Sequence, residues 1–144
     1  MLRMFLLAFT ALTLSIESYA ANTLSISGSP GPLTINTAVA GQDPLPVSDS
    51  STFYNIQNDN NGAKIMGSIS SNMPPNTAMT INITAPSGAT RPGPIALSTI
   101  PQILPAGIPQ CVYNQLSITY TLSATAAAGV IGTRQCVLTL TLSP

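Results

Sequence analysis

The chain contains no histidine and no tryptophan, and charged residues fill only 6% of its 144 positions. Each shortage removes a class of function. Acid–base catalysis near neutral pH leans on imidazole, so Ser–His–Asp and Cys–His nucleophile systems are excluded outright. Beyond the first twenty residues the formal charges are Lys64, Arg91 and Arg134 against Asp43, Asp49 and Asp59. Binding to nucleic acid or to an anionic surface requires clustered cations, and three scattered ones do not supply them.

The carboxylates are equally sparse. A glycosidase needs two of them a few ångströms apart, whereas Asp43 precedes Pro44 and Asp59 sits in a run of Asn and Gly, both settings that suit a turn-forming or Asx-type cap. Lys64, the one lysine, could in principle activate Ser68, but just after a turn signal it reads as a charge guarding a strand edge. The Asp59–Gly62 stretch has one carboxylate and no later bidentate Glu, so it reads as a turn and not a calcium loop. Two thiols without histidine leave a tetrahedral metal site incomplete. No catalytic, cofactor-binding or metal-ligating residue is therefore expected, and the chain reads as a non-enzyme.

Aromatic residues are few as well. Phe53, Tyr54, Tyr113 and Tyr120 offer little stacking area for a carbohydrate, and no small-molecule ligand is specified. Asn82-Ile83-Thr84 matches a glycosylation sequon but falls in the middle of a strand pattern.

What is present begins at the N-terminus. Met1-Leu2-Arg3, an apolar run from Phe5 to Leu14 and the small-residue site Ser18-Tyr19-Ala20 before Ala21 form a secretory signal, with cleavage between Ala20 and Ala21. The run is shorter than the roughly 20 apolar residues that span a bilayer, and Glu17 interrupts its end. Residues 21–144 are thus expected as a single extracytoplasmic domain (periplasmic, surface-bound or secreted) with no membrane insertion after cleavage. In an oxidising compartment the two cysteines, Cys111 and Cys136, are expected to form a disulfide, worth on the order of 3 kcal/mol by chain entropy.

Residues 21–144 are cut by Gly and Pro into short segments that alternate with period two. Leu24 and Ile26, then Leu33, Ile35, Thr37 and Val39, each predict a strand. Residues 51–70 predict a hairpin about Asn58-Asp59-Asn60-Asn61-Gly62. Met79, Ile81 and Ile83 make a further strand, and Ile95 to Ile100 another. Leu116 to Leu122 and Thr133 to Leu142 alternate most regularly, flanking Ala126-Ala127-Ala128, which allows at most one helical turn. Cys136 shares parity with Leu138, Leu140 and Leu142, which predicts an inward side chain. Seven to nine short strands predict an all-β fold, a β-sandwich.

The stretch Leu116 to Leu142, an alternating strand, Ala-rich residues to Gly129 and a closing Thr/Leu/Val strand, resembles the terminal hairpin of bacterial fimbrial subunits and similar immunoglobulin-like secreted domains. A signal peptide, one disulfide and Thr/Ser/Asn-rich strands fit the same plan. The resemblance implies an immunoglobulin-like β-sandwich in a structural or adhesive surface subunit. Low charge and hydroxylated strands fit self-association through strand edges, since little repulsion keeps copies apart. The alternative is a monomeric binding module for a glycan, protein or envelope component, with recognition in the Pro86–Pro94 or Pro101–Pro109 loops.

Overall fold

The computed structural model describes residues 22–144; the signal segment and its Ala20–Ala21 junction lie outside the described residues. Alternation of apolar and hydroxyl residues places one face of each strand inside. In β2 (Val47–Asn58), Thr52, Tyr54, Ile56 and Asn58 are buried while Phe53 and Gln57 are exposed. The same logic sets β3 (Lys64–Ile69) and β4 (Thr77–Ile83), which bury Ile65, Ile69, Ile81 and Ile83. β7 (Cys111–Ala124) contributes Ile118 and Tyr120. β1 (Thr23–Ser27), the two-residue β5 (Ile95–Ala96) and β6 (Gln102–Ile103), and β8 (Leu138–Ser143) complete the set.

These strands form two antiparallel sheets, a five-stranded one in the order β1-β2-β7-β4-β5 and a three-stranded one in the order β6-β3-β8. The chain is all-β among the described residues, with one 3₁₀ turn at Ala126–Ala128. Side chains from both sheets share one core: Tyr54, Ile81 and Ile118 from the larger meet Ile65 and Ile69 from the smaller. Leu97, Leu104 and Ile108 from the connecting loops join them. This is the layered burial of a β-sandwich.

Four expectations are corrected. Residues 51–70 are not a hairpin: β2 lies in the larger sheet and β3 in the smaller, so the Asn/Gly turn carries the chain across the core. The Leu116–Leu142 pair is likewise split, β7 in the larger sheet and β8 in the smaller. Leu33–Val39 joins no strand, although its pattern suits one.

The fourth concerns the cysteines. Cys111 and Cys136 are free thiols, and Cys136 is exposed instead of facing the core. Cys111 pairs with Asn58, near the start of β3, whereas Cys136 precedes Leu138, which pairs with Ile69 at the far end of β3. A six-residue strand separates those ends by about 17 Å at roughly 3.4 Å per residue, and a bridge needs Cα atoms about 4.4–6.8 Å apart. Burial also pushes the Cys111 thiol above its usual range, which lowers its thiolate fraction.

β7 carries one irregularity that no alternation reveals. Tyr54 and Ile56 of β2 pair with Leu116 and Tyr113, so β7 has one extra residue there. Gln115 takes a positive φ of 56°, and its backbone N–H donates to Asn55 Oδ1 at 2.8 Å. The bulge re-phases the strand, so that Tyr113 and Leu116 both pack against the core.

Candidate functional site

The three-stranded sheet is too narrow to cover the five-stranded one. β8 pairs with β3 on one side only, so its other edge is free. Beside that edge lies an open groove of about 1,910 Å³. Met79, Leu97, Tyr120 and Leu122 line it from the larger sheet and its loops, and Leu138 and Leu140 line it from β8. Burial, the largest influence, raises the Tyr120 phenol above its usual range. It stays a neutral hydroxyl at physiological pH.

Two segments, residues 29–42 and 129–137, wall the groove. Between Pro32 and Gly41 no described residue gives their backbone a sheet partner; the nearest closure is the Gln42 N–H to the Val39 carbonyl at 3.0 Å. Leu33 still packs against the core, while Val39 is 59% exposed. The 29–46 segment behaves as a strap, anchored at both ends and unpaired between.

Its first anchor forms where β1 ends. Gly28 adopts a φ of 79°, and a Cβ there would stand 2.5 Å from the Ser51 carbonyl oxygen. Both facts demand glycine. The Ser51 hydroxyl sits 2.7 Å from Asp49 Oδ1 and 3.1 Å from the Ser29 carbonyl, with one proton to share between them. Asp49 Oδ1 also accepts the Ser51 N–H at 3.0 Å, and Oδ2 accepts the Gly31 N–H at 3.4 Å. A bulge between Asp49 and Thr52 aims the carboxylate at this turn. Hydrogen bonds from Ser51 hold the Asp49 carboxyl below its usual range. The second anchor is Asp43, whose Oδ1 accepts the Ala126 N–H at 2.8 Å.

Gly28→Ala is expected to destabilise the fold by about 1–3 kcal/mol, because it forces a Cβ into the left-handed region and against backbone. Chemical denaturation, read as a lower midpoint at unchanged slope, checks this.

The residues weighed for chemistry do not converge. Asp43 and Asp49 hold the strap, while Asp59 lies in the β2–β3 turn with Oδ2 buried and unpartnered among the described residues. Lys64 and Ser68 are four positions apart along β3, about 13 Å at the strand rise. Asn82 accepts a hydrogen bond from Arg91 at 3.0 Å. Among the described residues no group of three or more Cys, Asp or Glu could hold a metal ion, and no helix is long and apolar enough to cross a membrane. The Pro86–Pro94 and Pro101–Pro109 loops are clamped together, Thr90 and Ala106 exchanging both backbone hydrogen bonds at 2.8 and 3.1 Å.

Sequence reasoning did not find the free β8 edge, the groove or the two carboxylate anchors. The sequence carries no signal for the anchors, since Asp43 and Asp49 both fall at the C-terminal end of the strap and only the fold brings Asp49 to Gly31. The chain matches no family model, no curated protein and no solved structure.

Proposed function

We propose that the chain is an exported, non-enzymatic structural or adhesive subunit, immunoglobulin-like and fimbrial-like in plan, that self-associates through sheet edges outside the cytoplasm. The observation that carries this reading is the outer edge of β8. A six-residue strand with exposed Thr139 and Thr141 and inward Leu138, Leu140 and Leu142 presents unpaired backbone groups beside an apolar groove. An edge of that kind is a template for another strand, and native sequences blunt it with Lys, Pro or a covering loop. β8 itself contains neither Lys nor Pro. Leu33–Val39, alternating and unpaired, is of matching length. Balanced, sparse charge leaves copies free to approach.

Size-exclusion chromatography over a range of concentrations tests it. The wild-type chain is expected to shift to larger species as concentration rises. Thr139→Lys with Thr141→Lys, which places two charges on the edge strand, is expected to weaken association at least tenfold with the far-UV spectrum retained. A strictly monomeric wild-type profile at every concentration, with no partner recovered by cross-linking, overturns the reading.

A further inference from the structure

The chain has no histidine, and its described residues hold three aspartates. Two of these, Asp43 and Asp49, grip opposite ends of one segment. We propose that residues 29–46 are a latched strap, held against the groove by the carboxylates of Asp43 and Asp49, and that neutralising those two carboxylates opens it.

The argument runs from the bonds outward. Between its anchors the strap has no ladder, so little besides the packing of Leu33 and the half-buried Ile35 keeps it in place. A hydrogen bond from N–H to an ionised carboxylate is about twice as strong as one to a neutral acceptor. Loss of the negative charge therefore weakens each anchor. Gly28 and Gly41, near its two ends, both hold positive φ, 79° and 81°. With the strap displaced, the groove lined by Met79, Leu97, Tyr120 and Leu122 loses one of its walls and its apolar face opens further to solvent.

The sign follows from the surroundings of each carboxylate. Asp49 faces the Ser51 hydroxyl and N–H and the Gly31 N–H, with Tyr120 opposite it in β7. The carboxyl titrates lower than usual in the fold, so its grip is complete above the ordinary aspartate value of about 3.9 and is lost as pH falls through the lowered one. Asp43 faces the Ala126 N–H. The one charged side chain lining the groove is Arg134, on the 129–137 wall. Lys64 starts β3 and Arg91 bonds Asn82, so neither serves an anchor.

The test is the fluorescence of anilinonaphthalene sulfonate, a dye that brightens on apolar surface, at concentrations where the chain is monomeric. That condition separates the strap from edge pairing, because the strap acts within one copy. Asp43→Asn with Asp49→Asn is expected to bind several-fold more dye than the wild type at pH 7, with far-UV and near-UV circular dichroism retained. The wild type is expected to gain the same signal on acidification below about pH 4, and Asp59→Asn to behave as wild type at pH 7. A folded double variant with wild-type fluorescence at pH 7 overturns the proposal. Should the double variant fail to fold, a strap closed by Gly31→Cys with Asp49→Cys, in a Cys111→Ser and Cys136→Ser background, decides it. The oxidised form must lose the acid-induced rise, and its persistence overturns the latch.

Discussion

Asn58→Leu is expected to cost about 3 kcal/mol or more, a large share of the stability of a domain this size. Asn58 is fully buried at the end of β2, where the chain leaves the larger sheet. Its Nδ2 lies 2.6 Å from the Asn60 carbonyl, 3.0 Å from that of Pro109 and 3.2 Å from that of Ile108. Its Oδ1 accepts the Asn60 N–H at 3.3 Å. One amide thus ties the crossing turn to the loop entering β7. Leucine approximates the volume but removes the side-chain donor to the Asn60 and Pro109 carbonyls and the acceptor of the Asn60 N–H, while the Ile108 carbonyl keeps the Gly62 and Ala63 N–H groups. A polar group left unpaired away from water costs about 1–3 kcal/mol. Asn58→Asp keeps the acceptor but removes the donors and adds a buried charge, and is expected to be worse. Urea denaturation of the two variants against wild type gives the comparison, with a milder effect for Asp than for Leu counting against this account.

Ile118→Ala is expected to lose about 2–5 kcal/mol, the range for deleting buried aliphatic groups when the cavity persists. Ile118 is fully buried in β7, between Thr52 of β2 and Ile83 of β4. A side chain flanked by ladders on both sides has no loop beside it to collapse inward, which places this site toward the upper end. Ile118→Val, which removes one methyl, is expected to cost about 0.5–1.5 kcal/mol. The groove-lining Leu140, only partly buried at the edge strand, provides the contrast. Leu140→Ala should cost clearly less than Ile118→Ala, and equal losses would show that the core does not centre on the larger sheet.

The inward faces were legible because side-chain alternation is a property of each strand alone. Tyr54, Ile56, Ile81, Ile83, Ile118 and Tyr120 are buried as their spacing requires, and Phe53, next to Tyr54, is 37% exposed. Pairing was not legible, because it depends on two segments at once. The Asn58–Gly62 turn signal reports that the chain reverses, and says nothing about whether the returning strand bonds to its predecessor or crosses to another sheet. Leu33–Val39 makes the same point from the other side: period two records compatibility with a sheet, while the anchors at Ser29, Gly31 and Asp43 hold the segment away from one. The cysteine expectation rested on count and compartment, which say nothing of where the fold puts Cys111 and Cys136, and the structure shows no bridge between them.

The repeated crossings between sheets carry a kinetic consequence. Lys64 of β3 must find Ser143, and Asn58 of β2 must find Cys111, before either ladder closes. The small sheet gains its longest ladder only when β8 arrives. Nascent chain therefore has few local pairings to settle into, which places its folding among the slow, topologically complex β proteins in the millisecond-to-second range. The larger sheet can close with β7, whereas the smaller one waits for β8, so the core shared between them is sealed last.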